Sequence, residues 1–335
     1  NKFSEKKLFI KKTNLFIKDD QNDTLLINKV HNGDFFYDNE KELNQFFLKG
    51  KVFNIPYSLN LQNDLIHKKL ESMITSKRFK LKFNNILYDQ DKFKNGSTDL
   101  FFMNSRISHD YKIIDNEFSF SSKNSSITGN KINYKGKIEL NPFNFVTEIN
   151  LDKINLKSFL KNESIINELL KSEVFFNENL NSFFLIKSSK VKKIRALKDL
   201  EINFKINQGE VSFDNSKLKI HKIGKLKLVD SSLVSDSGEL ILNGEFIIDV
   251  DSSKSFYKFF QTPKRHRKNI DSLKIVFNLN IQRNQLFLSN ISINNTKSNL
   301  EINDLLKGFN SQKKNFENLI ELKNFTNNLL AVYEG

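Results

Sequence analysis

The chain has 335 residues, 33 of them Phe, with no Cys and no Trp. Without Cys there are no disulfides, thiolate zinc sites or cysteine nucleophiles, and 38% hydrophobic with 27% charged residues excludes both a bundle of membrane helices and a disordered tail. The net charge of +14 rests on Lys, with Arg only at Arg78, Arg106, Arg195, Arg265, Arg267 and Arg283, so it fits solvated strand faces, guarded sheet edges or an anionic membrane surface better than nucleic acid, whose recognition leans on Arg.

In chain order, residues 1–30 read as short β pairs: Leu8 with Ile10, Leu15 with Ile17, Leu25 with Ile27, turning at Asp19–Asp23. Glu40–Leu48 reads as a helical or extended link. Gly50–Tyr57 opens a strand pair with Leu59 and Leu61, and Ile66–Thr75 fits either a short helix or a strand. Phe79–Tyr134 returns to strands through Leu81 with Phe83, Leu100 with Phe102, Phe118 with Phe120, and Ile132 with Tyr134. Gly136–Phe143 then repeats the order of Gly, Lys, β-branched residue, Pro and aromatic seen in Gly50–Tyr57, 86 positions earlier, which suggests a reused β unit. Leu156–Phe176 breaks the pattern. Phe159, Leu160, Ile166, Leu169 and Leu170 fall at helical spacing behind a possible Ser158 cap.

Sheet resumes at Phe183–Ile186, and Leu200–Ile302 reads as one strand after another. In Lys274–Gln282, Ile275, Phe277, Leu279 and Ile281 alternate with more polar residues; Leu200–Ile206, Leu240 with Leu242, and Phe246 with Ile248 and Val250 do the same. A period of two gives each strand an oily and a wet side. Turns rich in Asn, Gly, Ser and Asp recur about every ten residues, the mark of a large antiparallel sheet. Ser253–Phe260 reads as a helix ended by Thr262-Pro263, and Asn315–Tyr333 as a terminal amphipathic helix carrying Leu322, Phe325, Leu329 and Val332 on one side. The expected organisation is an N-terminal β unit or units (1–155), a helical link (156–182), a C-terminal sheet (183–308) and a C-terminal helix (309–335).

Catalytic and metal-binding patterns are not found. His31, His67, His109, His221 and His266 show no ligand spacing, and the chain has neither a phosphate-binding glycine loop nor a Gly-x-Ser-x-Gly elbow. No enzyme activity, cofactor or metal is expected. The dense basic run Lys264-Arg265-His266-Arg267-Lys268 is either a solvated loop or a contact for lipid headgroups or an acidic partner. Some 15–20 strands at ~4.8 Å spacing would make a sheet roughly 70–95 Å long, which tends to curl, split or fold over. Its apolar faces either close on each other in a sandwich or barrel or line an open groove.

Several stretches resemble a known family. Gly136-Lys137-Ile138-Glu139-Leu140-Asn141-Pro142-Phe143-Asn144-Phe145, Ile149–Leu156, Ile223–Leu228 and Gly238–Gly244 are similar to the recurring strand motifs of the AsmA-like bacterial envelope proteins, relatives of the TamB and YhdP type. That resemblance implies a long, bent and twisted antiparallel sheet whose apolar groove carries phospholipid toward the outer membrane. It implies a periplasmic location with an N-terminal inner-membrane helix, and no catalytic residues. The chain begins at Asn1 and has no run of ~20 apolar residues, so on this reading it is a piece from downstream of the anchor. The expected lipid-binding groove is Ile202, Phe204, Leu240, Leu242, Phe246, Ile248, Ile275, Phe277, Leu279 and Ile281, with Lys264, Arg265, Arg267 and Lys268 meeting headgroups or a partner. The expected partners are phospholipid, the inner membrane and outer-membrane or periplasmic proteins, with no nucleic acid. The alternatives are an assembly factor that guides outer-membrane proteins through its sheet edges, and a plain β-sandwich binding module.

Overall fold

Alternation of apolar and polar residues lays down twenty strands, and the fold is mainly β with three helices among the described residues. The structure, a computed structural model, describes residues 2–18, 24–52, 55–78, 80–127, 129–140, 142–155, 176, 180–192, 194–236, 239–296, 298–313, 315–316 and 318–333. The chain divides into two compact units, residues 1–141 and 142–335. The helical link expected over Leu156–Phe176 falls almost wholly outside the described residues.

The N-terminal unit is an antiparallel meander of β1 (Leu8–Lys18), β2 (Thr24–Asp38), β3 (Leu43–Val52), β4 (Ile55–Asp64), β5 (Lys69–Ser76), β6 (Leu81–Gln90), β7 (Phe93–Phe102), β8 (Ser105–Ile114), β9 (Glu117–Ser122), β10 (Ser125–Ile127) and β11 (Asn130–Leu140). From β1 to β8 each strand pairs with the next. Segments expected to be ambiguous, Glu40–Leu48 and Ile66–Thr75, resolve into the starts of β3 and β5 behind tight turns. Those turns do not use the expected Asn and Gly alone: Glu42, Lys68, Met103 and Asp115 take the left-handed conformation at hairpin corners.

β9 and β10 are two halves of one interrupted strand between β8 and β11. At the break Asn124 has φ 49°, and Ser125 replaces the lost ladder. Its Oγ accepts the Ser108 N–H and donates to the Ser108 carbonyl, both at 2.8 Å. The C-terminal unit repeats the device: Asn215 has φ 63°, and Ser216 Oγ accepts the Asn203 N–H at 2.9 Å and donates to its carbonyl at 3.5 Å. Ser125→Ala leaves the buried Ser108 N–H without a partner, while the Ser108 carbonyl keeps the Lys123 N–H at 2.7 Å and the Tyr134 hydroxyl at 3.2 Å, so it is expected to cost about 1–3 kcal/mol in urea denaturation, and Ser216→Ala less because of its longer bond.

The C-terminal unit holds β12 (Phe143–Ile154), β13 (Asn181–Val191), β14 (Leu197–Asn207), the interrupted β15 (Glu210–Ser212) and β16 (Ser216–Ile220), β17 (Gly224–Asp236), β18 (Glu239–Val250), β19 (Ser272–Asn280) and β20 (Gln285–Ile293). The sheet is mixed rather than wholly antiparallel, because β12 and β13 run parallel. Two parallel neighbours need a connection of a dozen or more residues, and 26 residues separate Ile154 from Asn181 in the sequence. The remaining pairs among the described residues of this unit are antiparallel.

Three helices pack at the end of this sheet: α1 (Ser253–Phe260), α2 (Leu300–Ser311) and α3 (Leu319–Val332). Side chains at each N-terminus satisfy free backbone N–H groups: Ser252 for Ser255, Asn299 for Ile302, and Asn318 for Ile320 and Glu321. Helix α2 stands where the sequence reading continues the sheet. Ile302, Leu306 and Phe309 give it one apolar stripe, all three buried against the sheet with Leu329 and Leu330 of α3 and Phe256 of α1. Asn310 of α2 reaches the outer strand: its Oδ1 accepts the Leu288 N–H and its Nδ2 donates to the Leu288 carbonyl, both at 2.9 Å.

Candidate functional site

The ten residues expected to form the groove lie on one apolar sheet face but fall into three side-chain clusters. Across β18 and β19, Leu242 stands opposite Leu279, Phe246 opposite Ile275, and Gly244 opposite Phe277. Phe246 and Phe277 stack at 4.3 Å with ring planes 8° apart. Ile248 and Phe277 are buried in the cluster that the helices cover, and Leu242, Phe246, Ile275 and Leu279 pack against it. Leu240 is buried with Ile206, Val211 and Leu233, with Phe204 and Ile281 alongside. Ile202 packs against the cluster of Ile154, Ile186, Val191 and Leu200. A cleft of about 520 Å³ opens beside Val211 and Leu233, lined by Phe176, Glu210, Ser212 and Ser231 among others.

The basic run is partly committed to the fold. Lys268 Nζ donates to the Tyr333 carbonyl at 2.5 Å, at the C-terminal end of α3, and Arg267 Nε donates to the Thr262 carbonyl at 2.9 Å. Arg265 Nε donates to His266 Nε2 at 2.9 Å. Lys264 and Arg265 are exposed.

A different surface appears in the N-terminal unit. Leu48, Leu59, Ile74, Phe83, Leu100 and Ile107 stand directly opposite one another across β3 to β8, forming an unbroken apolar row. Five strand spacings of ~4.8 Å make it ~24 Å long. Apart from Leu48, which is buried, these side chains are half-buried. The substantial packing of every element in this unit is with neighbouring strands, and the three buried apolar clusters all lie within residues 142–335. Within residues 1–141, then, no second layer lies on the row among the described residues. The opposite face is wet and carries ion pairs such as Arg106–Asp99 at 2.9 Å and Lys137–Glu117 at 3.4 Å.

Next to the row, two residues along each strand, runs a polar seam. Ser72, Asn85, Thr98, His109 and Ser122 are successive cross-strand partners. Asn85 Oδ1 accepts from Thr98 Oγ1 at 2.8 Å and from the Tyr111 hydroxyl at 2.9 Å. His109 Nδ1 lies 3.1 Å from the Tyr134 hydroxyl, which donates to the Ser108 carbonyl at 3.2 Å. That places the proton on Nδ1 and leaves Nε2 as an acceptor. On the far side of the seam lie Leu70, Leu87, Gly96, Tyr111 and Phe120. Gly96 lies under the Tyr111 ring, where an added Cβ would collide with the Tyr111 hydroxyl and the Ile86 carbonyl.

Burial holds His109 below the ordinary imidazole range, against weaker opposing pulls from Asp110 and Asp99. With a depressed folded pKa, the unfolded state binds more protons as pH drops through the ordinary value of ~6.5. Stability is therefore present above that pH and falls away below it. Urea midpoints at pH 7.5 and 5.5 are expected to show a loss in the wild type that His109→Gln reduces.

In the sequence His109 shows no ligand spacing, and the expected groove lies in the other unit. A signal was available: polar residues interrupt the apolar alternation at positions 72, 85, 98, 109 and 122, the spacing of successive hairpins. Among the described residues, no cluster of three His, Asp or Glu side chains is placed to hold a metal, and no helix is long and apolar enough to cross a membrane. No protein-family model matches the chain, and neither a curated protein nor a solved structure does.

Proposed function

We propose that the protein shields the acyl chains of phospholipid along its apolar sheet faces, chiefly in residues 1–141, as an AsmA-like periplasmic protein contributing to lipid transport between the inner and outer membranes. The observation that carries this reading is the row from Leu48 to Ile107, apolar across six strands and without a covering layer among the described residues of its own unit. At ~24 Å the row exceeds one leaflet's share, ~15 Å, of a ~30 Å hydrocarbon core. Each methylene taken out of water adds ~0.8 kcal/mol, so even partial coverage of one chain retains it. Shielding of this kind is passive, and direction comes from whatever delivers and removes lipid. The envelope setting, the inner-membrane tether and the kinship are part of this proposal and are supported by the resemblance of the strand motifs around Gly136–Phe145 and Gly238–Gly244.

The test is mass spectrometry of lipid extracted from the chain after expression into a bacterial periplasm. Stoichiometric phospholipid is the expected result; a folded protein free of lipid overturns the proposal. A second reading, strand addition to client outer-membrane proteins, draws on β1. Among the described residues this strand pairs with β2 alone, and Phe9 and Phe16 on it are 64% and 55% exposed. It predicts crosslinks from β1 to client strands that do not depend on lipid.

A further inference from the structure

The polar seam lies outside the three buried apolar clusters. It crosses an otherwise oily face, and part of its hydrogen-bonding capacity is unused. Asn85 Oδ1 is taken by two hydroxyl donors, so its Nδ2 hydrogens point elsewhere, and no protein acceptor meets them among the described residues. His109 Nε2 and the Ser72 hydroxyl likewise have no protein partner there. Apolar rows flank the seam on both sides. A pure hydrocarbon lying across this face would strip water from these groups and return nothing. A ligand with a polar atom at the right place would not.

We infer that the seam Ser72–Asn85–Thr98–His109 holds the uncharged linkage of an acyl glycerol, its ester carbonyls and hydroxyls, while the acyl chain lies in the flanking row of Ile74, Phe83, Leu100 and Ile107. This inference rests on the lipid-handling reading and names the part of the lipid that is recognised. Asn85 Nδ2 and the Ser72 hydroxyl donate to an ester carbonyl, the contact that every acyl glycerol offers, and His109 Nε2 accepts from a hydroxyl where the lipid carries one, as in a monoglyceride, a lysolipid or a glycerol headgroup. None of the four side chains carries a formal charge at neutral pH, so the seam selects the linkage and not a phosphate. The charged pair on the same face, Lys94 with Asp89 at 3.6 Å, lies four residues along β6 and β7 from Asn85 and Thr98, at the strand ends. Because the seam runs across the strands, successive polar positions are ~4.8 Å apart. A bound lipid thus meets a new partner for its linkage at each strand while its chain stays in the same row.

The experiment compares equilibrium binding of 1-monooleoylglycerol and 1-octadecene, probes of equal chain length with and without the linkage, to the full chain and to the double variant Asn85→Leu, Thr98→Val. The wild type is expected to prefer the glyceride by about tenfold or more, the scale of one lost hydrogen bond to a desolvated group. The variant is expected to lose that preference by gaining affinity for octadecene. A preference unchanged in the variant overturns the seam's role and leaves lipid handling standing, whereas no binding of either probe overturns both. Ser72→Val removes a hydroxyl that makes no internal bond, so it keeps the test open if the double variant does not fold. Its expected effect is about a threefold fall in preference, and no fall counts against the inference.

Discussion

Aspartate at both Phe83 and Leu100 is expected to reduce co-purifying phospholipid to background while the far-ultraviolet β signal persists. The two side chains stand directly opposite each other on β6 and β7, in the middle of the apolar row. Both are half-buried by their neighbours, on a face without a covering layer among the described residues of the N-terminal unit. In the free protein two carboxylates there keep most of their hydration, so the sheet tolerates them. A bound acyl chain removes that hydration, and desolvating an unpaired charge costs several kcal/mol per ion. At ~1.4 kcal/mol per tenfold, retention falls by well over ~100-fold. Mass spectrometry of the extracted lipid reads the loss, and circular dichroism of the same sample controls for fold. Retention at the wild-type level would sink the proposal for this face.

Phe277→Asp should behave in the opposite way, unfolding residues 142–335 rather than merely releasing ligand. Phe277 is 3% exposed, stacks on Phe246 at 4.3 Å and lies opposite both Gly244 and Leu288. It belongs to the cluster that contains Phe256, Leu306 and Leu329, one residue from each helix. Losing a buried Phe costs roughly 3–5 kcal/mol. Burying a carboxylate in its place adds a penalty of similar size or larger. The sum approaches the roughly 5–15 kcal/mol that holds a whole domain together. Limited proteolysis and a thermal melt check this: the C-terminal strands become protease-sensitive and their cooperative transition disappears. A melting point within a few degrees of the wild type would mean that the ring is not in a closed core. The pair of experiments separates two apolar faces that look alike in sequence.

Much of the fold was legible because a period of two does not depend on tertiary context. Of the expected strand Lys274–Gln282 the part to Asn280 is strand, with Ile281 and Gln282 in the turn beyond it; Leu200–Ile206 is strand throughout, and Ser253–Phe260 is a helix with the expected ends. The terminal helix from Leu319 also followed its apolar stripe. What escaped was set by neighbours distant in sequence. The parallel pairing of β12 and β13 leaves no mark on the alternation of either strand. Helix α2 was readable from Asn299 and the spacing of Ile302, Leu306 and Phe309, but the strands just before it suggested more sheet. The candidate site was hardest. Alternation reports which face a residue takes, not whether another layer covers it. Phe277 and Phe83 both alternate cleanly, and only the helices at one end of the C-terminal unit distinguish them.

Asn310 carries a further meaning for a chain with so many long, Phe-rich strands. An outermost strand is a template, because its free amides and carbonyls can recruit a foreign strand and seed a fibril. At Leu288 both groups are already occupied by one carboxamide from α2. An incoming strand would have to displace that carboxamide and lever away a helix anchored by Ile302, Leu306 and Phe309. The helix that completes the core therefore also acts as a stopper against templated aggregation on that flank of the C-terminal unit.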